Sequence, residues 1–324
     1  MQFGSAYAPP FIIGAAVSNK VFDILSKGAQ TVEEVSNVTG ASPRGLRAIM
    51  NALVGLELLR KSGNKYSLTS ESAAFLVSNK PGTLAGFFPM NMERLIPLWL
   101  KLDEIVRTGR PAETRNEEHP GTEFFTELVE NIIPMSYESA NALGDHLKLA
   151  KAKTETRILD LAAGSGIWGF VLAQKSSQVR VTAVDWAGMI PTTRRITQKF
   201  GVGDRFKFIE GDLLEVDFGK NYDIATLGHI LHSEGEERSR DLLKKTFRAL
   251  KSGGTIAIGE WLVNDERTEP LPSLMFAVNM LVNTEHGDTF SFNEIKRWLE
   301  EAGFKKARTL EAPGPSPLIL ATKS

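Results

Sequence analysis

Two carboxylates and three glycines stand close together near the middle of the chain. Residues 157–169 read R-I-L-D-L-A-A-G-S-G-I-W-G, in which Gly164, Gly166 and Gly169 spell G-x-G-x-x-G. Asp185 follows the glycines by about twenty residues, the spacing at which a second strand-end acid contacts a ribose. The apolar run 158–161 breaks into small residues and resumes at helical spacing through Ile167, Phe170, Val171 and Leu172, which predicts a strand, a tight turn and a helix. Glycine at 164 and 166 is expected where a ligand must approach the backbone closely.

The same spelling serves a dinucleotide site, so the ligand has to be argued from charge. Asp160 ends the strand just before the turn, where a carboxylate would repel a pyrophosphate from the helix N-terminus. A cation suits that place. S-adenosylmethionine (SAM) carries an ammonium and a sulfonium on that side and ribose hydroxyls on the other, so Asp160 for the methionine end and Asp185 for the ribose form one consistent layout.

Other residues that can do chemistry are few. His229 and His232 lie three apart, with Glu234 and Glu236 nearby, which would suit a metal if they shared a helical face; no third ligand is fixed, and no metal is expected. The chain has no cysteine, hence no disulfide, no thiolate nucleophile and no cysteine metal site. Methionines and aromatics at helical spacing (Phe88, Met92, Trp99, Met135, Met275, Phe276 and Met280) are candidate walls of a pocket for a small, largely apolar acceptor.

The elements that must position these residues follow from pattern. The chain has 324 residues, 42% hydrophobic and 24% charged, with a formal net charge of −1, enough for two domains and without the excess charge of a nucleic-acid or membrane-surface binder. The start M-Q-F-G-S-A-Y-A-P-P lacks the basic opening and cleavage site of a signal peptide, and no apolar run is long enough to span a membrane, so a cytoplasmic location is expected.

Residues 10–25 predict a buried helix closed by Gly28, Thr31 caps a second, and Ser42-Pro43 opens a third carrying Leu46, Ile49, Met50, Leu53 and Val54 on one face. Segments 56–60 and 66–68 around Ser62-Gly63-Asn64 predict a hairpin, completing a winged-helix pattern. Arg44, Arg47, Arg60, Lys61 and Lys65 are interleaved with Glu33, Glu34 and Glu57, and the first helix is apolar on more than one face, which favours dimerisation over DNA reading.

Residues 83–107 predict a long apolar helical region, 109–121 a surface loop and 122–150 a further helical stretch. Beyond these, strands at 157–161, 179–184, 206–210, 222–227 and 254–260 alternate with helices, as a parallel sheet requires. Segments 305–311 and 318–322 flank a run of breakers too short for a crossover, so they pair antiparallel. The expected fold is therefore α/β: a Rossmann-like, mostly parallel sheet with a C-terminal antiparallel hairpin, behind an N-terminal winged-helix dimerisation domain. The expected boundaries are 1–82 for dimerisation, 83–150 for a helical linker with the pocket, and 151–324 for the cofactor domain.

With these elements in place the chain resembles the class I small-molecule O-methyltransferases with an N-terminal dimerisation domain, of the caffeate and hydroxyneurosporene type. The likeness rests on V-F-D-I-L, D-L-A-A-G-S-G, A-V-D-W, E-G-D-L-L, L-G-H-I-L-H-S, A-L-K-S-G-G-T-I-A-I-G-E and E-A-G-F. It implies a homodimer that transfers a methyl group from SAM to a hydroxyl. It further implies that Asp160 and Gly164 line the methionine side of the SAM site, with Ala162 and Gly166 in the same cofactor-binding turn, and that Asp185 takes the ribose. Asp212 and Leu213 would meet the adenine, with Trp186 over its other face, and His232 is the general base, a role an imidazole suits because it is largely neutral at pH 7.

The family's three-glycine turn is Ala162-Ala163-Gly164 here, its acid after the base is Ser233, its second supporting glutamate aligns with Thr289 and its lysine near the adenine with Gly228. Orientation of His232 therefore falls to other groups, with Glu234 or His286 as candidates. The competing readings are a SAM-binding protein of this fold with non-methylation chemistry, a ligand-sensing winged-helix regulator and a nicotinamide-dependent oxidoreductase.

Overall fold

The computed structural model describes residues 2–324. They fall into two compact units, one ending at Leu100 and the other Lys101–Ser324.

The first unit begins with α1 (Ala8–Ser18) and α2 (Val21–Leu25). The single helix expected over 10–25 is thus two, because Lys20 between them adopts a left-handed φ of 55°. Strand β1 (Gln30–Thr31) leads into α3 (Val32–Thr39), whose start is fixed by a reciprocal capping box: Glu34 N–H donates to Thr31 Oγ1 and Thr31 N–H to the Glu34 carboxylate. Helix α4 (Pro43–Gly55) turns Leu46, Met50 and Leu53 inward, where they pack with Phe22, Leu25, Val35 and Tyr66. The hairpin β2 (Leu59–Ser62) and β3 (Lys65–Leu68) sits in register Leu59↔Leu68, and β1 adds to its edge.

The helix α5 (Ser70–Phe75) follows, and the long helix expected over 83–107 is broken into α6 (Phe87–Met90), a π-helical turn at Asn91–Leu95 and α7 (Ile96–Trp99), with Pro97 at the start of α7. A proline lacks the N–H that a continuous helix would use, and the wider turn accommodates it.

The second unit opens with α8 (Leu102–Thr108), α9 (Glu118–Asn131) and α10 (Ile133–His146). Here too one expected helix is two: Ile132 precedes Pro134 by two residues and leaves the helical region, ending α9. Segment 109–121 is not simply a surface loop, since α9 has begun by Glu118 and Arg115 is buried, its guanidinium 3.8 Å from the Phe124 ring centre and hydrogen-bonded to Glu113.

The sheet then follows the predicted alternation: β4 (Thr156–Leu161), α11 (Ile167–Lys175), β5 (Val179–Asp185), α12 (Ile190–Lys199), β6 (Phe206–Glu210), β7 (Tyr222–Gly228), α13 (Leu231–Ala249), β8 (Leu250–Gly259), α14 (Leu271–Asn283), α15 (Phe292–Glu301), β9 (Phe304–Leu310) and β10 (Leu318–Lys323). Strand order is β6-β5-β4-β7-β8-β10-β9, and β10 runs antiparallel to both neighbours. The sheet is therefore parallel except at the C-terminal hairpin, as expected, with β8 starting earlier than the expected 254.

Side chains alternate along each strand, so the sheet carries a core on each face. Ile158, Val181 and Ile224 join Phe170 and Leu172 of α11 on one side, while Leu159, Leu161, Leu227 and Ile258 meet Leu242, Trp298 and Leu299 on the other. Strand order reverses between β4 and β7, which places a crevice at the carboxyl ends of these two strands. No helix among the described residues is long and apolar enough to cross a membrane.

Candidate functional site

Every predicted cofactor residue leaves the sheet at its carboxyl edge. The turn after β4 carries Ala162, Gly164 and Gly166, the end of β5 carries Asp185 and Trp186, and Asp212 and Leu213 follow β6. Ala162 and Gly164 both have left-handed backbones, φ 51° and 55°. A left-handed alanine is strained, because its Cβ crowds the following carbonyl, and strain of this kind concentrates at sites.

The reason for glycine differs along the turn. At Gly166, φ is 73° and a Cβ would press on Thr193 and Thr197; at Gly169 it would meet Asp160 Oδ2 and Val181, each at 2.8 Å. At these two positions packing against neighbouring side chains already favours glycine.

The hydrogen bonds of the turn decide which ligand fits. Gly164 N–H donates to Asp185 Oδ2 at 2.7 Å, Gly166 N–H to the Ala163 carbonyl at 2.6 Å and Gly169 N–H to Asp160 Oδ2 at 2.9 Å. The amides that would cradle a pyrophosphate are already engaged, two of them by carboxylates. Asp160 also accepts from Thr226 Oγ1 at 2.7 Å and is 1% exposed. Burial pushes its carboxyl up to about 7, against the hydrogen bonds from Thr226 and Gly169. Burial likewise raises Asp185 to about 6, where Gly164 and Trp186 N–H groups oppose it and Glu118 assists. Two buried acids held near neutrality form a site that gains from a cation and from hydroxyl donors. SAM, with an ammonium, a sulfonium and ribose hydroxyls, carries groups of both kinds.

The edge beside Asp185 is covered by α9. Trp186 lies 6.2 Å from the Phe125 ring, a Cβ on Gly121 would overlap its indole, and Ala187 N–H donates to Glu118 Oε1. Val129 faces Gly164, 3.1 Å from where a Cβ would stand. These α9 residues were missed because polar breakers over 109–121 signal a loop and say nothing of what the next helix covers. At the neighbouring edge, Asp212 binds Arg238 at 2.8 Å and Leu214 N–H, while Leu213 is buried in the sheet core.

His232 begins α13, buried, and its Nδ1 lies 2.7 Å from Glu260 Oε2. Glu260 follows β8, and its other oxygen accepts Leu231 N–H at 2.7 Å. Burial alone would raise this carboxyl, but His232, the hydrogen bonds it accepts and His229 hold it below the usual carboxylate range. The candidates expected to orient His232 do something else. Glu234 pairs with Arg238 at 2.6 Å, and His286 points to solvent beside Glu285. Glu260 was legible only as an acid ending a strand, 28 residues from the histidine.

Beside the dyad, the Phe276 ring meets His232 edge-on at 4.9 Å and stacks on Trp261 at 4.8 Å. Of the other candidate wall residues in this unit, Met280 is buried, while Met135 and Met275 are 42% and 55% exposed. Phe88, Met92 and Trp99 belong to the first unit, where Phe88 packs on its core and Met92 lies against Gly14. Gly228, where the family lysine aligns, has no room for a side chain, because the Trp168 indole lies across it and Gly259.

Comparison with known proteins agrees with this geometry. Residues 117–305 match the model of the O-methyltransferase domain and residues 1–78 that of the O-methyltransferase dimerisation domain. The chain is 28% identical to the tetracenomycin polyketide synthesis 8-O-methyl transferase of Streptomyces glaucescens, over 100% of this chain and 96% of that protein. It is 27% identical to the 3-hydroxy-5-methyl-1-naphthoate 3-O-methyltransferase of Streptomyces sahachiroi, over 96% and 90%. The structure of human N-acetylserotonin methyltransferase in complex with SAM shares the fold, with a TM-score of 0.87 and 22% identity over 99% of this chain and 95% of that one. The nicotinamide and regulator readings find no support among these matches. The chain belongs to the O-methyltransferase family, and it is a SAM-dependent enzyme that delivers a methyl group to oxygen.

Proposed function

We propose that the protein methylates a hydroxyl of a small, flat aromatic acceptor, with His232 as general base and Glu260 holding that base in position. The observation that carries this reading is the 2.7 Å contact between His232 Nδ1 and the Glu260 carboxylate. A carboxylate only accepts, so it keeps the proton on Nδ1 and leaves the Nε2 lone pair free to take the acceptor's hydroxyl proton. SAM, when bound, supplies a methyl group on a sulfonium; the oxygen–carbon bond forms as the carbon–sulfur bond breaks, the electron pair stays on sulfur and S-adenosylhomocysteine leaves.

The protein's part is to hold the acceptor oxygen in line with that carbon, about 3 Å away, and to remove its proton. The Phe276–Trp261 stack against His232 supports a planar acceptor. The names of the relatives, a polyketide 8-O-methyl transferase and a hydroxynaphthoate 3-O-methyltransferase, point the same way. Asp160 would act on the methionine end through its charge and Asp185 on the ribose, with Trp186 and Asp212 beside the adenine.

The dimerisation-domain match over 1–78 and the exposed Tyr7 (68%), just before α1, and Phe11 (43%) of α1 support a homodimer, which we place in the cytoplasm. The test incubates the protein with SAM and a panel of phenols, naphthols and aliphatic alcohols while S-adenosylhomocysteine is measured. A planar phenol should turn over, and His232→Ala should lower turnover by about 10² to 10⁴ with SAM affinity retained. Equal turnover by that variant would remove the base.

A further inference from the structure

His229 is unexplained by the transfer chemistry. It sits between β7 and α13 with a left-handed φ of 63°, fastened by its N–H to the Gly259 carbonyl at 2.8 Å. It is not on a helical face with His232; the turn itself brings the two rings to 6.4 Å. Its Nδ1 is buried without a hydrogen-bond partner. A buried polar nitrogen in a strained backbone is a standing cost unless something binds to it. One ring nitrogen from each histidine and a carboxylate oxygen of Glu260 all lie within 4.8 Å of one another.

We propose that His229, His232 and Glu260 bind a borderline transition-metal ion of the zinc class, and that occupancy of this site switches the histidine off as a base. The second half rests on the base role proposed for His232; the first does not. Two imidazoles and one carboxylate are the donors that zinc-class ions prefer and that magnesium does not. Metal–ligand bonds of about 2.0 to 2.1 Å at tetrahedral angles set donor atoms about 3.3 Å apart, so an ion would draw together these three, which already lie within 4.8 Å of one another. The sequence offered two histidines and no fixed third ligand; Glu260 is that ligand.

The consequence for the base is the same whichever nitrogen of His232 binds. If the ion takes Nε2, the lone pair that accepts the proton is gone. If it takes Nδ1, the ring proton moves to Nε2, and again no lone pair faces the acceptor. SAM binding does not involve these three residues and should be unaffected.

The test titrates chelator-treated, full-length protein with Zn2+ and with Co2+. We expect one ion per chain and the visible absorption of tetrahedral Co2+. His229→Asn is the first variant, because asparagine tolerates the left-handed backbone, and Glu260→Gln is the second. Each should bind at least about 100-fold more weakly while still binding S-adenosylhomocysteine, which reports the fold. In the turnover assay, Zn2+ should inhibit in step with occupancy and a chelator should restore the rate. No binding by the native protein, or unchanged affinity in both variants, would overturn the site. Activation by Zn2+ would overturn the switch. Undiminished turnover by His232→Ala would instead sink the base assignment and leave the metal measurement standing.

Discussion

Replacing Glu260 by glutamine removes one charge and almost no volume, yet it should reverse the tautomer of His232. Native Glu260 accepts through Oε1 from Leu231 N–H at 2.7 Å and His232 N–H at 3.4 Å, and through Oε2 from His232 Nδ1 at 2.7 Å and Trp261 N–H at 3.3 Å. Glutamine has one oxygen and one NH2. The Leu231 amide can only donate, so the glutamine oxygen must stay with it, and the NH2 turns toward His232. An NH2 facing Nδ1 requires a lone pair there, and the ring proton shifts to Nε2, where the acceptor's proton should have gone.

The two short hydrogen bonds survive in this arrangement while the 3.3 Å bond from Trp261 N–H is given up, so stability should fall by only about 1 kcal/mol. Catalysis should lose the whole of general-base assistance, about 10² to 10⁴ in kcat, or roughly 3 to 5 kcal/mol of barrier. The assay is S-adenosylhomocysteine release under saturating SAM and acceptor, alongside calorimetric SAM titration of the same preparation. The deficit should shrink across a series of increasingly acidic phenols, which need the base less. A variant with native kcat, or one whose deficit lies entirely in SAM affinity, would refute the tautomer argument.

The raised carboxyls make the cofactor site pH-dependent. In the proposed layout SAM brings positive charge to Asp160 and hydroxyl donors to Asp185, both of which favour the ionised carboxylate, so its affinity should climb as pH rises through 6 and 7 and then level off, with proton release visible as a buffer-dependent heat. The same shifts act on the ligand-free protein with the opposite sense. Between the unfolded and folded pKa values the native state holds more protons than the unfolded one, so these two groups should lower stability as pH rises to about 7; melting curves of the native protein and an Asp160→Asn variant with the same pH slope would show the acid unperturbed. Gly228→Ala should cost about 1 to 3 kcal/mol in chemical denaturation, because the new methyl overlaps the Trp168 indole; native stability would mean that the indole is free to move. Ala162→Gly should add up to about 1 kcal/mol by relieving its left-handed backbone, and a destabilised variant would show that the strain is absent.

Much of the fold was written locally in the sequence. The strands announce themselves because each is a short apolar run between breakers, and the hairpin of β9 and β10 follows from the brevity of its connection. Asp160, Gly164 and Asp185 lie at the ends of such runs, so their gathering at one sheet edge follows from strand order alone. What stayed hidden depended on contacts between distant segments. Glu260 acquires its role only when β8 lies beside β7 and sets Gly259 opposite Gly228, with His229 and Glu260 next in each chain. The covering of Trp186 by α9 and the burial of Arg115 against Phe124 are likewise invisible to polarity patterns, which mark charged residues as exposed. The breaks at Lys20 and Ile132 were missed for another reason: apolar periodicity continues across them while the backbone does not.

The proposed catalysis turns on a neutral His232 with its proton on Nδ1, facing Glu260, and an open lone pair on Nε2. Long-range 15N–1H correlation NMR of the histidine rings, on chelator-treated protein with S-adenosylhomocysteine bound and the resonance assigned by His232→Asn, reads this directly. A protonated Nδ1 beside an unprotonated Nε2 in native protein, reversed in Glu260→Gln, is the predicted result. A native spectrum with the proton on Nε2 would contradict it.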